Sequence, residues 1–233
     1  MPCINVREGD GIVSIIALDG CGAPAVGDSG LLQMSNISEI GFEDTVTEGD
    51  EVTERNFGGR KCYADVGADE IANIALNLTS CGINPALDSA LIGSAVKLAA
   101  DVVKGFGRRD LSATQNVAIE VLMQLDADAC DGGGDAPVAG WLFPLVKNWR
   151  PAAATTLNGT DLVKPQYTAK GYKNTNIFDT VVEPLSKWED IYVPPTTSTS
   201  TDGEWYAFYI FDAADAPLPD ASCEPVELAA AAS

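Results

Sequence analysis

Residues 27–30 read Gly-Asp-Ser-Gly, the setting in which a hydrolytic serine is presented on a tight turn. Such a serine becomes a nucleophile when an imidazole takes its proton, and the chain contains no histidine. Ser29 is therefore read as a residue of a Gly-rich turn. A second run, Asp126-Ala127-Asp128-Ala129-Cys130-Asp131-Gly132-Gly133-Gly134-Asp135, alternates carboxylates as a calcium loop does. An EF-hand needs an oxygen at its fifth position and a bidentate Glu at its twelfth, where Cys130 and Pro137 stand, so this stretch is read as an acidic hairpin tip. Its three glycines lack the Lys-Ser/Thr that follows a phosphate-binding loop. The six cysteines (Cys3, Cys21, Cys62, Cys81, Cys130, Cys223) include no Cys-x-x-Cys pair, which removes the usual zinc ribbon or finger. Carboxylates are so frequent that neighbouring pairs do not by themselves suggest acid/base hydrolysis, which needs two of them across a cleft. The expectation is a chain with no catalytic residue, no metal and no cofactor.

Charge points the same way. Lys and Arg number 14 against 34 Asp and Glu, a net charge of −20. Affinity for nucleic acid comes largely from cations that displace counterions from phosphate, so gripping DNA is excluded as a role. Docking on an anionic membrane is disfavoured for the same reason. No apolar run approaches the ~20 residues that span a bilayer. The run Ile12–Leu18 follows Glu8 and Asp10 instead of a basic segment, so it is read as a buried strand and not an export signal. Synthesis in a cytosol with reduced thiols is expected.

The elements that position these residues read mainly as strands. Residues 31–47 alternate loosely (Leu32, Met34, Ile37, Ile40, Phe42) as one half-buried strand, and 45–60 are acidic and hairpin-like with Gly-rich turns. Residues 71–78 set Ala72, Ile74, Leu76 and Leu78 against Ile71, Asn73, Ala75 and Asn77, a two-residue period. Asn84 as cap, Pro85 at the first position and Gly93 at the end predict a short helix with Leu87, Leu91 and Ile92 on its apolar stripe. Strands follow at 117–125, 138–149, 162–172 and 204–211. Together these predict an antiparallel β-sandwich or barrel with one short flanking helix. Residues 1–30 form an N-terminal arm with the first strand, 31–180 the β domain, and 181–233 an extended C-terminal arm carrying one aromatic strand. Trp141, Phe143, Tyr172 and Trp205 are candidate core or interface aromatics, since few basic residues interleave with the aromatics as base stacking would need. Several strands have one apolar and one polar face with few inward Lys or edge Pro, so their edges invite pairing with further copies.

In order and spacing, several segments resemble the major tail tube protein of long-tailed, siphovirus-type bacteriophages, especially those of actinobacterial hosts. They are the acidic strand-loop-strand 43–63, the strand 74–79 leading through Cys81 into 84–93, and Ala118-Ile119-Glu120-Val121-Leu122 before the glycine-rich tip. Gly140-Trp141-Leu142-Phe143-Pro144 and Tyr167-Thr168-Ala169-Lys170-Gly171-Tyr172-Lys173-Asn174 complete the set. The resemblance spans about residues 35–180; the two arms lie outside it, and Ile177-Phe178-Asp179-Thr180 departs from the family's Trp-rich continuation.

That resemblance implies a subunit that assembles with itself, six to a ring, with rings stacked into a hollow virion tail. It implies a tape-measure protein in the bore, tail-terminator and baseplate or tip proteins at the ends, and double-stranded DNA in non-specific passage. Glu43, Glu48, Asp50, Glu51 and Glu54 become candidate lumen or inter-ring acids. Six copies at −20 each make −120 per ring, a wall that repels DNA at close approach, within a Debye length of about 8 Å. Two other roles fit the same residues: a neck, tail-terminator or decoration protein that stops at one ring, and an extracellular calcium-dependent binding module using 126–135.

Overall fold

The computed structural model describes residues 6–49, 51–55, 61–66, 68–99, 102–107, 115–125, 137–152, 164–197, 202–212, 215–219 and 225–228. Antiparallel pairing dominates. Strand β1 (Val6–Leu18) pairs with β2 (Gly27–Met34) on one side and β9 (Asn116–Leu125) on the other. Strand β9 pairs with β10 (Val138–Pro151), and the sheet continues through β11 (Gln166–Tyr172) and β6 (Glu70–Ser80) to β3 (Ile37–Thr47). Beyond β2 it ends at β13 (Pro225–Leu228), while β12 (Ala207–Phe211) lies along the first half of β10.

Strands β2 and β3 sit towards opposite ends of this order, yet only Ser35 and Asn36 join them. Three Cα–Cα steps leave Met34 and Ile37 at most about 11 Å apart. The sheet must therefore roll until its two ends approach, which is the barrel-like form expected from the sequence. The single strand read over 31–47 is in fact these two. A two-residue corner at Ser35-Asn36 leaves no room in the sequence for a turn signal, and the apolar alternation runs through it.

Each strand's faces follow from its pattern. Val13, Ile15, Met34, Val117, Ile119, Phe143 and Val146 pack with Ile74, Leu76 and Leu78 in one core. Residues of the other parity, Ile16, Leu18, Leu31, Ala118, Leu122 and Leu142, pack in a second core on the opposite face. Strands β1, β9 and β10 are thus apolar on both sides and read as near-continuous hydrophobic runs, whereas β6 is buried on one side and alternates cleanly.

The second core is closed by the chain after residue 174. Ile177, Val182, Leu185, Trp188 and Tyr192 are fully buried there, with Ala207 and Phe211 of β12. Where the sequence suggested an extended arm from residue 181, this part of it folds back on its own sheet. The one-turn helix α2 (Glu183–Ser186) helps set Val182, Leu185 and Trp188 on one side, three residues apart. Gly140 accommodates this packing. A Cβ there would lie 2.7 Å from the Phe211 ring and 2.9 Å from the Trp188 ring.

Helix α1 (Pro85–Ile92) forms as the sequence predicts. The Asn84 side-chain oxygen accepts from the Ala86 and Leu87 amides at 2.8 and 3.2 Å, and Gly93 ends the helix at φ 67°. Leu87, Leu91 and Ile92 enter the first core. Asp88 is buried beside them and accepts from the Tyr167 hydroxyl (3.0 Å) and from Ser94. Asn84→Ala is expected to cost about 1 kcal/mol, read as a lower urea midpoint with an unchanged m-value.

Candidate functional site

Among the described residues the longest unbroken run of exposed side chains lies on the β3 flank. Its edge away from β6 is unpaired among the described residues, and every residue from Phe42 to Thr47 is exposed. At about 3.4 Å per residue this edge offers roughly 35 Å of free backbone donors and acceptors. The strand contains neither lysine nor proline, the residues that most often guard such edges. Phe42 and Val46 remain 40% and 51% exposed.

Beside this edge runs an apolar groove of about 480 Å³, bounded by Ile37, Ile40 and Phe42 of β3 and by Val121, Trp141 and Phe143 of β9 and β10. The Phe42 ring stands 5.2 Å from Phe143 and 5.3 Å from Tyr206. Trp141 stacks on exposed Phe208 at 4.7 Å. Of the four aromatics singled out by sequence, Phe143 is buried in the core, and Trp141 joins it on the same wall of the groove. Tyr172 and Trp205 lie elsewhere, beneath the ammonium groups of Lys147 (4.5 Å) and Lys173 (5.3 Å). Phe42 and Phe208 emerge as surface aromatics only once the strands are placed.

The candidate acids fall on two separate elements. Glu43, Asp44 and Glu48 are exposed on β3 and just beyond it. Glu51 and Glu54 belong to β4 (Glu51–Arg55), which pairs with β5 (Lys61–Val66) in a two-stranded sheet of its own. The acidic segment is thus a hairpin, tied at its base where the Gly49 amide donates to Asp69 at 3.0 Å. Asp50 lies outside the described residues.

On the polar face of the same flank, register lines up Glu43, Ala75, Lys170 and Lys147 across β3, β6, β11 and β10. The next row holds Gly41, Asn77, Thr168 and Arg150. Lys147 and Lys170 are direct cross-strand partners.

Several buried polar side chains bridge distant parts of the fold. Glu120, 1% exposed on central β9, accepts from the Trp188 indole at 2.7 Å and pairs with the Lys187 ammonium at 2.8 Å. Asn174 donates to the Gly22 and Pro144 carbonyls at 2.8 and 3.0 Å, clamping the 19–24 loop to β10. Burial pushes the Tyr192 phenol above its ordinary pKa, so it stays neutral while donating to the Glu204 carbonyl at 3.0 Å. Residues 27–30 open strand β2 instead of forming the turn read from their glycines. Gly30 is needed because a Cβ would lie 2.6 Å from the Ala25 carbonyl and 2.7 Å from Leu228.

The 126–135 acidic run lies outside the described residues. Cys21 and Cys81 are free and exposed. Among the described residues no group of three or more His, Cys, Asp or Glu is placed to hold a metal ion, and no helix is long and apolar enough to cross a membrane.

No protein-family model matches the chain, and no curated protein matches it in sequence. Among solved structures it is similar to the sheath/tube terminator of an extracellular contractile injection system in the extended state. That likeness has 13% identity and a TM-score of 0.29, and covers 72% of this chain and 93% of the other.

Proposed function

We propose that the chain is a non-enzymatic structural subunit that closes with copies of itself into rings, six to a ring, stacked as the tail tube of a long-tailed bacteriophage. The observation that carries this reading is the β3 flank: a long strand edge without a partner among the described residues, exposed apolar side chains, and an aromatic groove beside it. A strand from a neighbouring copy would satisfy the edge and seat alternate side chains in the groove, and repetition of that contact around an axis removes every open edge. The ordered resemblance over residues 35–180 supplies the class of assembly.

The net charge of −20 suits the wall of a DNA conduit, because a wall rich in acids offers phosphate nothing to grip. Glu43, Glu48, Asp50, Glu51 and Glu54 are the acids assigned to the bore or to the contact between rings. In the virion the tube would enclose a tape-measure protein and end against terminator and baseplate or tip proteins.

Light scattering on size-separated protein tests the ring. At 24.4 kDa per copy, six copies weigh about 146 kDa. A species of that mass, growing into larger multiples with concentration, is expected. A 24.4 kDa species at every concentration would refute the ring, and a population that stops at one ring would favour a neck, terminator or decoration protein.

A further inference from the structure

The charged rows on the polar face of the β3 flank are hard to reconcile with an isolated subunit. Lys147 and Lys170 face each other directly across β10 and β11, an arrangement that costs stability when nothing neutralises it. Arg150 is exposed one row away, and Lys170 is exposed as well. Among the described residues Lys187 pairs with Glu120, whereas Lys147, Arg150 and Lys170 form no ion pair with a described carboxylate. The chain holds only 14 basic residues against 34 acidic, yet gathers three cations here with no described carboxylate paired to them.

Glu43 shares the row with Lys170 but lies two strands away, about 10 Å at ordinary strand spacing. Asp44 and Glu48 follow Glu43 towards and beyond the end of β3 at Thr47. Arg150 lies on the other side of the Glu43 row, level with Gly41. Among the described residues, Asp44 and Glu48 thus lie on the far side of the Glu43 row from Arg150.

Residues 43–54 read Glu-Asp-Thr-Val-Thr-Glu-Gly-Asp-Glu-Val-Thr-Glu, six acids with no base. We infer that Lys147, Arg150 and Lys170 form the receiving surface for the acidic 43–54 segment of a second copy. Patch and segment are different surfaces of the chain, so the contact is head-to-tail and repeats along an axis. It rests on the tube reading above and names the surface that would join one ring to the next. Being electrostatic and exposed, it weakens as salt shortens the Debye length.

Zero-length carbodiimide cross-linking of mixed isotope-labelled and unlabelled protein, read by mass spectrometry and imaged in parallel, tests it. Cross-links between Lys147 or Lys170 of one copy and an acid of residues 43–54 of another are expected. K147E/K170E is expected to remove them and raise the concentration needed for assembly at least tenfold, with folding verified by circular dichroism. Adding E51K/E54K to that variant is expected to restore assembly. Stacked tubes without these cross-links would overturn the patch while leaving the tube reading intact. The cross-links in oligomers lacking a bore would uphold the patch and refute the tube. Lysines protected from reaction only when duplex DNA is added would overturn the assignment to a second copy.

Discussion

Phe42→Lys together with Val46→Lys is expected to leave the subunit folded and to abolish its self-association in the micromolar range. Both side chains are about half exposed in the single chain, so their removal spares most of the core. Fully burying an aromatic or aliphatic side chain contributes about 1.5–3 kcal/mol, and about half of that remains to be gained at each site when a neighbour covers it. An ammonium group placed on the edge must also be desolvated for a strand to add there. Together these cost about 2–3 kcal/mol per contact, or roughly 30- to 150-fold in affinity. Around a ring the loss recurs at every interface. Sedimentation velocity should show monomer where the parent protein shows higher species. A double variant that assembles like the parent would mean that β3 is not the joining edge.

Lys187→Ala is expected to be the most destabilising single change outside the apolar core, by about 3–5 kcal/mol. The Glu120 carboxylate lies in the middle of the sheet and is almost wholly buried, while Lys187 reaches solvent at 18% exposure. Without the ammonium the carboxylate keeps, among the described residues, only the Trp188 indole, and its charge is uncompensated. Marginal stabilities of about 5–15 kcal/mol make that a large fraction. Glu120→Gln combined with Lys187→Met is expected to recover most of the loss, because the amide still accepts from the indole and no charge is left behind. Urea unfolding followed by tryptophan fluorescence checks both. An unchanged midpoint for Lys187→Ala would show that water or another group already balances Glu120.

Much of this fold was legible in the residues. The cap, proline and glycine around 84–93 specify a helix through local chemistry alone, and local chemistry is what a sequence displays. Strand β6 was legible because its two faces meet different environments. The corner at Ser35-Asn36 was not, since both flanking strands keep their alternation and only long-range pairing, β2 with β1 and β3 with β6, separates them. The fold-back of residues 177–192 was hidden by Pro184 and Pro194-Pro195, which look like an irregular arm. The buried role of Trp188 depends on Gly140 and Glu120, far away in the chain. The hairpin at 95–107, strands β7 (Ala95–Ala99) and β8 (Val102–Gly107), gave too short and too mixed a pattern to stand out.

The candidate site divides in the same way. The acids of 43–54 are visible as composition, and Trp141 and Phe143 as large aromatics in a strand. The unpaired β3 edge and the Lys147–Lys170 pair are properties of register, which one residue of slip would abolish. Asp88, missed from sequence as a buried polar group, lies between Leu87 and Leu91 in the helical stripe. There its carboxylate meets Tyr167 from β11.

Negative-stain microscopy of the purified protein, concentrated and imaged across a range of salt, bears most directly on the claim that a single copy is an unfinished sheet completed by its siblings. Rings with a central channel, stacking into hollow tubes as concentration rises, are the predicted images. Discrete particles of single-subunit size at every concentration and salt would contradict it.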